Sequence, residues 1–400
     1  MGNESITTYL GDRAGLKNRI ELPRILQPEH YEIEREAVFK RAWMPVIETA
    51  ELPHRGSYKV LDMPVMNTSL LIVRGNDDRI RAFHNICRHR GNKVVREGAG
   101  VAKHFTCAFH AWSYDLDGSL TAVTDKTQFP DVEFAKYGLL PVHTETWEGL
   151  VFVNFDAKPR QSLREWMGPM FDQYSGYYGG HELVASHAIT AKCSWHLGVN
   201  AFTEGYHTLY IHKNTVPDYQ GGNQNPERHR PHIELLHRHT RYSAPANPGH
   251  VITPGEKMAY KWGQLLFPDF RVDGSHLPPG VNPAKVKDWA FDVVEFFPCA
   301  VLLFGTTWHM NIWFWPIDAG HTRIQIDSWA YRAKNAGERI GQAFYKVRGR
   351  EVFREDVNTL EATQAMLSSQ SMPHIVLSFQ ETALMHHYRM LDEMLAEARA

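Results

Sequence analysis

Cysteine, net charge and long apolar runs are all scarce in this 400-residue chain, and each scarcity excludes something. Four cysteines cannot build the disulfide framework of a secreted scaffold, so reducing surroundings are expected. A formal net charge of -2, from 43 Lys and Arg against 45 Asp and Glu, leaves no basic excess for bulk binding to nucleic acid. No apolar run approaches the roughly 18 residues that cross a bilayer. The opening Met1-Gly-Asn-Glu-Ser-Ile6 is polar where a signal peptide is basic and then apolar, so a cytoplasmic chain with no membrane partner is expected. No internal repeat or low-complexity tract is present.

What the chain has in quantity is histidine, 23 in all, which warns against reading any lone one as a ligand. Two clips stand apart from that background. Cys87-Arg-His89 is followed, after an intervening stretch, by Cys107-Ala-Phe-His110 and Trp112. Each clip offers one thiolate and one imidazole, so together they make a two-sulfur, two-nitrogen site suited to a structural zinc or to a [2Fe-2S] cluster of the Rieske kind. Zinc fingers tend to keep both histidines in the second pair, whereas here each half contributes one ligand of each type.

Length implies about two to three domains. Residues 1–42 read as a polar arm followed by a helix that Pro28 opens and that runs to Phe39. Short apolar runs cut by turn residues follow, at Met44–Ile47, Tyr58–Leu61, Ser69–Arg74, Ile80–Asn85 and Gly149–Asn154. They predict a small antiparallel β domain over 43–155 that carries both clips. From 156 to 400 the texture changes to longer elements. The pattern predicts a strand at Leu183–Ala191, a mainly helical Ser194–Ile211 and long Pro-, Gly- and His-rich connections over 213–290. Four aromatic-rich strands follow between Val293 and Tyr331, and then helices at Gly337–Val347, Glu351–Ser369 and Glu381–Ala398. The fold class is α+β. Cys193 and Cys299 have apolar neighbours and read as buried small hydrophobes.

A second polar cluster lies in Asn200-Ala-Phe-Thr-Glu204-Gly-Tyr-His207 and ends at His212. Asn200, Glu204 and His207 are spaced to share one helix face, but His212 comes five residues after His207, so a widened turn or a helix end is needed for both rings to meet one ion. Two histidines want a carboxylate to complete the facial triad of a non-haem Fe(II) site. Glu351 to Gln364 supplies Glu355, Asp356 and Glu361 as candidates.

Taken together, the clips with Arg90-Gly91 and Trp112, the entry segment Glu36–Trp43 and the second cluster resemble the Rieske non-haem iron aromatic-ring-hydroxylating oxygenases, in their α (catalytic) subunit, over nearly the whole length. The resemblance implies a Rieske [2Fe-2S] domain held by Cys87, His89, Cys107 and His110. It implies a C-terminal helix-grip (START/Bet v 1-like) catalytic domain around a mononuclear Fe(II) on His207, His212 and Asp356. In that family an acidic pair is followed five residues on by Glu and the second acid of the pair is the ligand, which selects Asp356. The residue three before the first iron histidine is usually Asp and bridges to a cluster histidine of the neighbouring subunit; here it is Glu204, a choice known in quaternary-amine members. A homotrimer, with or without a small β subunit, is implied, as are O2 as co-substrate and NAD(P)H electrons delivered by a ferredoxin and/or a flavin-dependent reductase. Arg88, Ala108 and His196 depart from the usual Pro, Pro and Lys.

The function expected on this basis is that of a terminal oxygenase component that cis-dihydroxylates or monooxygenates a bulky, largely apolar aromatic or polycyclic substrate. The alternatives are a monooxygenase or N- or O-demethylase acting on a quaternary amine or methoxy compound, and a Rieske electron carrier with no oxygenase activity. Glu204 and Asn200 are the expected catalytic-site residues beyond the ligands. Phe202, Leu303, Phe304, Trp308, Met310 and Trp313 are the expected cavity wall. No cationic clamp is visible around His207, which disfavours a carboxylate-anchored substrate. Arg74, Arg79, Arg81, Arg88, Arg90, Lys93, Arg96 and Lys103 outnumber the acids around the clips, so an acidic electron donor is expected to dock there.

Overall fold

A computed structural model describes residues 8–10, 15–216, 231–263 and 277–399. The chain forms two compact units: Phe39–Leu163, and the chain up to Val38 together with Arg164 onward.

In the Phe39–Leu163 unit, short apolar runs cut by turn residues form a seven-stranded antiparallel sheet. Its order is Met44–Glu48, Leu150–Asn154, Pro141–Trp147, Ile80–His84, Thr68–Arg74, Ser57–Met63 and Ala99–Val101. Asn67, left-handed at φ 49°, turns the chain between the Ser57–Met63 and Thr68–Arg74 strands, which pair from Met63↔Thr68 to Tyr58↔Val73. A second, three-stranded sheet of Phe105–Thr106, Ser113–Tyr114 and Leu120–Ala122 carries the second clip. Between them lies a core in which Cys87 and Cys107 pack with Leu71, Val73, Phe105, Trp112 and Tyr114.

The other unit is built on an eight-stranded sheet ordered Thr8–Leu10, His232–Leu236, His239–Pro245, Trp289–Phe296, Ala300–Phe304, Trp308–Asp318, His321–Tyr331 and His181–Ala191. Every neighbouring pair is antiparallel except the first. Helix Trp195–Phe202 packs on the Ala300–Phe304, Trp308–Asp318 and His321–Tyr331 strands, and the long helix Ala336–Leu367 packs on His181–Ala191. The terminal helix Thr382–Arg399 covers His232–Leu236 and His239–Pro245. Trp289–Phe296, in the middle of the sheet, is buried along its whole length. Gly198 lets helix and sheet meet: a Cβ there would stand 2.6 Å from Cδ1 of Phe314.

Four expectations are corrected. The stretch 213–290 contains two sheet strands and the helix Pro254–Gly263, not connections alone; its residues 217–230 and 264–276 lie outside the described residues. Its polar letters mislead because they are buried with partners: Arg241 Nε donates to Glu234 at 2.6 Å, and His239 Nε2 lies 3.1 Å from Trp166 O. The two helices expected on either side of Arg348-Gly-Arg350 are one helix of 32 residues. Conversely, the expected helix Ser194–Ile211 is interrupted from Thr203 to His207, with Trp195–Phe202 before the break and Thr208–Ile211 after it. Finally, part of the N-terminal arm is sheet: Thr8–Leu10 runs parallel to His232–Leu236, and Arg19–Glu21 pairs with His374–Val376.

Two candidate metal centres

The two clips fold into the same six-residue bracket despite their different spacing. Cys87 N–H donates to Asn92 O at 2.8 Å, and Gly91 N–H donates back to Cys87 O at 3.0 Å. Cys107 N–H donates to Trp112 O at 2.9 Å, and Ala111 N–H donates to Cys107 O at 3.0 Å. The residue closing each bracket is left-handed, Gly91 at φ 78° and Ala111 at φ 55°. Glycine adopts that conformation freely; alanine does so at some cost.

These brackets bring the His89 and His110 rings to a centroid distance of 4.5 Å. Trp112 stacks on His89 at 5.0 Å with an interplanar angle of 9°. Both cysteines are buried free thiols, and His89 Nδ1 is buried with no hydrogen-bond partner. Donors point at the sulfurs. Asn92 Nδ2 lies 3.5 Å from Cys107 Sγ, and the Tyr114 hydroxyl lies 3.4 Å from Cys87 Sγ while accepting Arg88 N–H at 2.9 Å. Burial raises the Cys87 thiol. At Cys107 burial acts in the same direction, but hydrogen bonds from Asn92 and from the Phe109 and His110 backbone prevail and lower it. Two buried sulfurs with N–H and O–H donors, beside two imidazoles, fit a [2Fe-2S] cluster.

The departures in the clips have local uses. Arg88 donates to Gly138 O at 2.8 Å and lies over the Tyr137 ring, so it ties the clip to the following loop. The basic surplus around the clips shrinks on inspection. Arg81 makes a two-bond contact with Asp77 at 2.8 and 2.7 Å, Lys93 reaches Asp62 at 2.7 Å and Arg74 turns onto Leu52 O at 2.6 Å. Arg90, Arg96 and Lys103 are the exposed members of that set with no ion pair among the described residues.

The second centre depends on the break after Phe202. Gly205 lies so close to the sheet that a Cβ would stand 2.3 Å from the Tyr242 hydroxyl. His207 and His212 therefore flank the single turn Thr208–Ile211, rather than sharing a helix face with Asn200 and Glu204. Asp356 comes from the long helix, and ligand atoms of His207, His212 and Asp356 lie within 4.8 Å of one another. The Asp356 Oδ1 is 3.7 Å from His207 Nε2 and 3.3 Å from His212 Nε2. Each ring is oriented from behind. Glu204 Oε1 lies 2.5 Å from His207 Nδ1, and Glu355 Oε2 lies 3.0 Å from His212 Nδ1 while accepting the Thr215 hydroxyl at 2.6 Å. With both Nδ1 atoms donating to carboxylates, both Nε2 lone pairs face Asp356. Asp356 Oδ1 is buried and accepts no hydrogen bond. An orphaned buried carboxylate oxygen between two imidazole lone pairs fits a divalent cation. Burial lowers the His207 pKa, but the Glu204 charge and hydrogen bond and the Asp356 charge outweigh it and raise it to about 9.

The other acids are accounted for. Glu355 orients His212, and Glu361 instead accepts Lys192 N–H at 2.9 Å. Asn200 donates to the Tyr388 hydroxyl at 2.9 Å and is not part of the cavity wall. His196, in place of the usual Lys, sits 2.9 Å from Glu34 in a fully buried pair.

A cavity opens on this centre. Its sheet side is a cross-strand row in which Tyr242 pairs with Val293, Val293 with Leu303 and Leu303 with Met310, with Phe291 beside it. Strand alternation decides which expected wall residues belong. Phe202, Leu303 and Met310 line the cavity; Phe304 and Trp313, of opposite parity, do not. Phe304 packs among Tyr174, Tyr177 and Tyr178, and the Trp313 indole donates to Asp327 at 3.0 Å. Trp308 has the right parity but lies outside the wall, in contact with the Phe291 and Tyr345 rings that do line it. The long helix contributes Tyr345, Arg348, Gly349, Val352, Phe353 and Asp356. This stripe is not among the expected wall residues, although its 3.6-residue spacing back from Asp356 signals it. Nor is its cation expected: Arg348 lines the cavity and is 8% exposed.

Comparison with known proteins follows the same division. Residues 42–137 match the family model for the Rieske [2Fe-2S] domain, and residues 181–397 match that for the ring hydroxylating alpha subunit (catalytic domain). The chain is 37% identical over 158 residues to the alpha subunit of 2-aminobenzenesulfonate 2,3-dioxygenase of Alcaligenes sp., a match covering 39% of each protein. It is 29% identical over 180 residues to the oxygenase subunit of carnitine monooxygenase of Acinetobacter baumannii, covering 44% of this chain and 48% of that one. The chain thus spans about two fifths to half of the length of these curated relatives. The structure of naphthalene 1,2-dioxygenase from Rhodococcus sp. bound to indole superposes with a TM-score of 0.76 at 19% identity, covering 95% of each chain. That likeness shows a shared fold.

Proposed function

Because the chain belongs to the ring hydroxylating alpha subunit family, with a Rieske [2Fe-2S] domain ahead of its catalytic domain, we propose that it is the terminal oxygenase component of a multicomponent system that hydroxylates an apolar aromatic substrate. The observation that carries this reading is the cavity, whose wall is predominantly apolar and at one end of which stand His207, His212 and Asp356. We assign residues 43–155 to the cluster domain and 156–400 to the catalytic domain.

Cys87, His89, Cys107 and His110 would hold the cluster, and His207, His212 and Asp356 the mononuclear iron. When bound, the iron supplies an O2-reactive centre and the cluster supplies single electrons. The chain's own residues do the rest. Glu204 and Glu355 fix the two imidazoles by their Nδ1 atoms, while Tyr242, Phe291, Leu303 and Met310 exclude water and present the substrate's flat face. Glu204 occupies the bridging position of the family, which supports a homotrimer in which a neighbour's cluster serves this iron. Electrons from NAD(P)H would come through a ferredoxin and/or a flavin-dependent reductase. Glu204→Gln should retain both metals and suppress turnover; full coupled turnover in that variant counts against the bridge.

A second reading has its own support. Phe202, Tyr242, Phe291, Tyr345 and Phe353 ring the cavity, and such walls hold quaternary ammonium groups through cation–π attraction. One relative is a carnitine monooxygenase, and another acts on an aminobenzenesulfonate. A single experiment separates these readings. The reduced, iron-loaded protein is exposed to isotopically labelled O2 with apolar aromatics, steroids and quaternary amines in parallel, and products are weighed by mass spectrometry. Label incorporated into an aromatic product supports the first reading. Label lost with a demethylated amine replaces it with the second, and no labelled product from any class overturns both.

A further inference from the structure

The cavity wall is apolar except at a few side chains, and most of their polar atoms are already engaged. Glu204 gives Oε1 to His207 Nδ1 and Oε2 to the Tyr206 and His207 N–H groups. Arg348 Nη1 is paired with Glu256 Oε1 at 2.6 Å, and the Tyr345 hydroxyl donates to His309 O at 3.5 Å. Beyond the three expected ligands, two hydroxyls of the wall remain, those of Tyr242 and Thr208.

Tyr242 is 5% exposed, and its hydroxyl makes no hydrogen bond among the described residues. That oxygen is nevertheless not sealed off as Asp356 Oδ1 is. Its strand fixes where the side chain goes. Tyr242 opens the row that continues through Val293, Leu303 and Met310, and all four line the cavity, so the ring leaves the sheet on the cavity face. Its far end reaches Gly205, a wall residue two places before His207, where a Cβ would stand 2.3 Å from the hydroxyl oxygen. Glycine at that position leaves room for the oxygen. The hydroxyl therefore sits in the wall beside the segment that carries His207.

Burial, and after it the Glu204 charge, hold the phenol pKa well above its ordinary range, so the group stays neutral and able to donate. A wholly apolar guest strips water from this hydroxyl and offers nothing in return, which costs affinity. An anionic group placed there would meet Glu204, next to Gly205 in the wall, as a like charge in low dielectric. We propose that Tyr242 is a specificity residue of the cavity, whose hydroxyl donates to an uncharged oxygen on the substrate, a carbonyl, hydroxyl or ether. The bond holds that substituent beside the 205–212 segment. This inference rests on the oxygenase reading above and narrows its substrate class from plain hydrocarbons to aromatics that carry a neutral oxygen substituent.

The test is anaerobic titration of the iron-loaded full chain, with no turnover, using 2-methoxynaphthalene, 2-naphthol and 2-ethylnaphthalene. The ethyl probe matches the ether in shape and replaces its oxygen by a methylene. The wild type should bind both oxygenated probes more tightly than the ethyl one. Tyr242→Phe removes a single oxygen atom and keeps the ring; it should lower that preference about threefold to tenfold, the worth of one neutral hydrogen bond, with iron content unchanged. Thr208→Val removes the other hydroxyl and should leave the preference intact. A wild type that favours the ethyl probe, or a preference that survives Tyr242→Phe, overturns the assignment. Equal weakening of all three probes in Tyr242→Phe marks a packing role and overturns it too, as does a preference lost in Thr208→Val alone. Selective binding with no oxygenated product once reductant and O2 are added leaves Tyr242 in its role and overturns the oxygenase reading; product without selectivity overturns the role of Tyr242 alone.

Discussion

The two centres are assembled by opposite strategies. In the Phe39–Leu163 unit each cysteine and histidine pair lies within one six-residue bracket, tied by backbone hydrogen bonds from the cysteine itself. In the catalytic unit two ligands flank a single helical turn, the third arrives from the 32-residue helix, and acids hold the rings from behind. The first centre is built from local turns that offer two thiols and two imidazoles; the second is assembled by tertiary packing and offers a carboxylate and two imidazoles. Each should consequently fail alone, and for a different reason.

The largest expected effect is complete loss of one metal with the other intact. Asp356→Ala removes the orphaned oxygen between the two Nε2 atoms, so mononuclear iron should vanish while the cluster's visible absorbance and spin-resonance signal persist. Cys107→Ser should do the reverse. Loss of both metals in either variant would show that the units do not hold their metals independently and would break the comparison.

Acid should separate the units next. Burial pushes His181, His239 and His309 down to about 3, with repulsion from His309 adding at His181, and a hydrogen bond to the Trp166 carbonyl opposing it at His239. Their folded pKa values lie below the unfolded value near 6.5, so the folded state prefers them neutral. Their stabilising contribution is therefore full above pH 6.5 and is lost as pH falls, by up to about 1.4 kcal/mol per pH unit for each. All three belong to the catalytic unit, whereas in the cluster unit His84 is the one described non-ligand histidine lowered by burial. Hydrogen-exchange protection of Trp289–Tyr331 should drop between pH 6.5 and 4.5 while that of Ser57–His84 holds. Parallel loss would mean that the buried histidines do not set acid stability.

How much of this was legible in the sequence follows from the same contrast. The clips were readable because their ligands are sequence neighbours, and the strands around them because Leu70–Val73 and Val151–Val153 alternate with turn residues. His207 and His212 were readable as a pair with an awkward spacing, and the helix break that resolves it brings Gly205 close against Tyr242, a contact no local pattern records. The cavity wall was half right because Leu303 and Phe304 were both nominated, although neighbours on a strand face opposite ways. Residues 232–245 were misread because their Glu, Arg and His letters look like a loop until Arg241 is seen paired with Glu234 inside the sheet.

A smaller effect tests the carboxylates behind the rings. Removing an outer partner of a ligand histidine typically lowers metal affinity by about 10- to 100-fold. Glu355→Ala should weaken iron binding in that range by freeing His212 Nδ1. Glu361→Ala, six residues further along the same helix, should leave it unchanged, because its carboxylate serves the Lys192 backbone. Competitive chelator titration reads both. Equal losses would indicate a general helix effect rather than orientation of one ring.

The smallest effect distinguishes the two brackets from each other. Gly91 and Ala111 close equivalent turns in the same left-handed conformation, at φ 78° and 55°, and only Ala111 pays a steric cost for its Cβ. Ala111→Gly relieves that strain in the folded state but enlarges the freedom of the unfolded chain, which opposes it by about 0.4–1 kcal/mol. Because the αL penalty for a Cβ is about 1–2 kcal/mol, relief should win narrowly, and the variant should be stabilised by about 0.5–1 kcal/mol in reversible denaturation followed at the cluster. The mirror substitution Gly91→Ala should destabilise by a similar amount, since its Cβ would meet nothing nearer than 3.8 Å and the cost is conformational alone. Opposite signs from the two variants establish that the brackets are the same structure closed by different residues; the same sign from both would mean that the Trp112 side, where the indole stacks on His89, supports Ala111 in a way the Gly91 turn lacks.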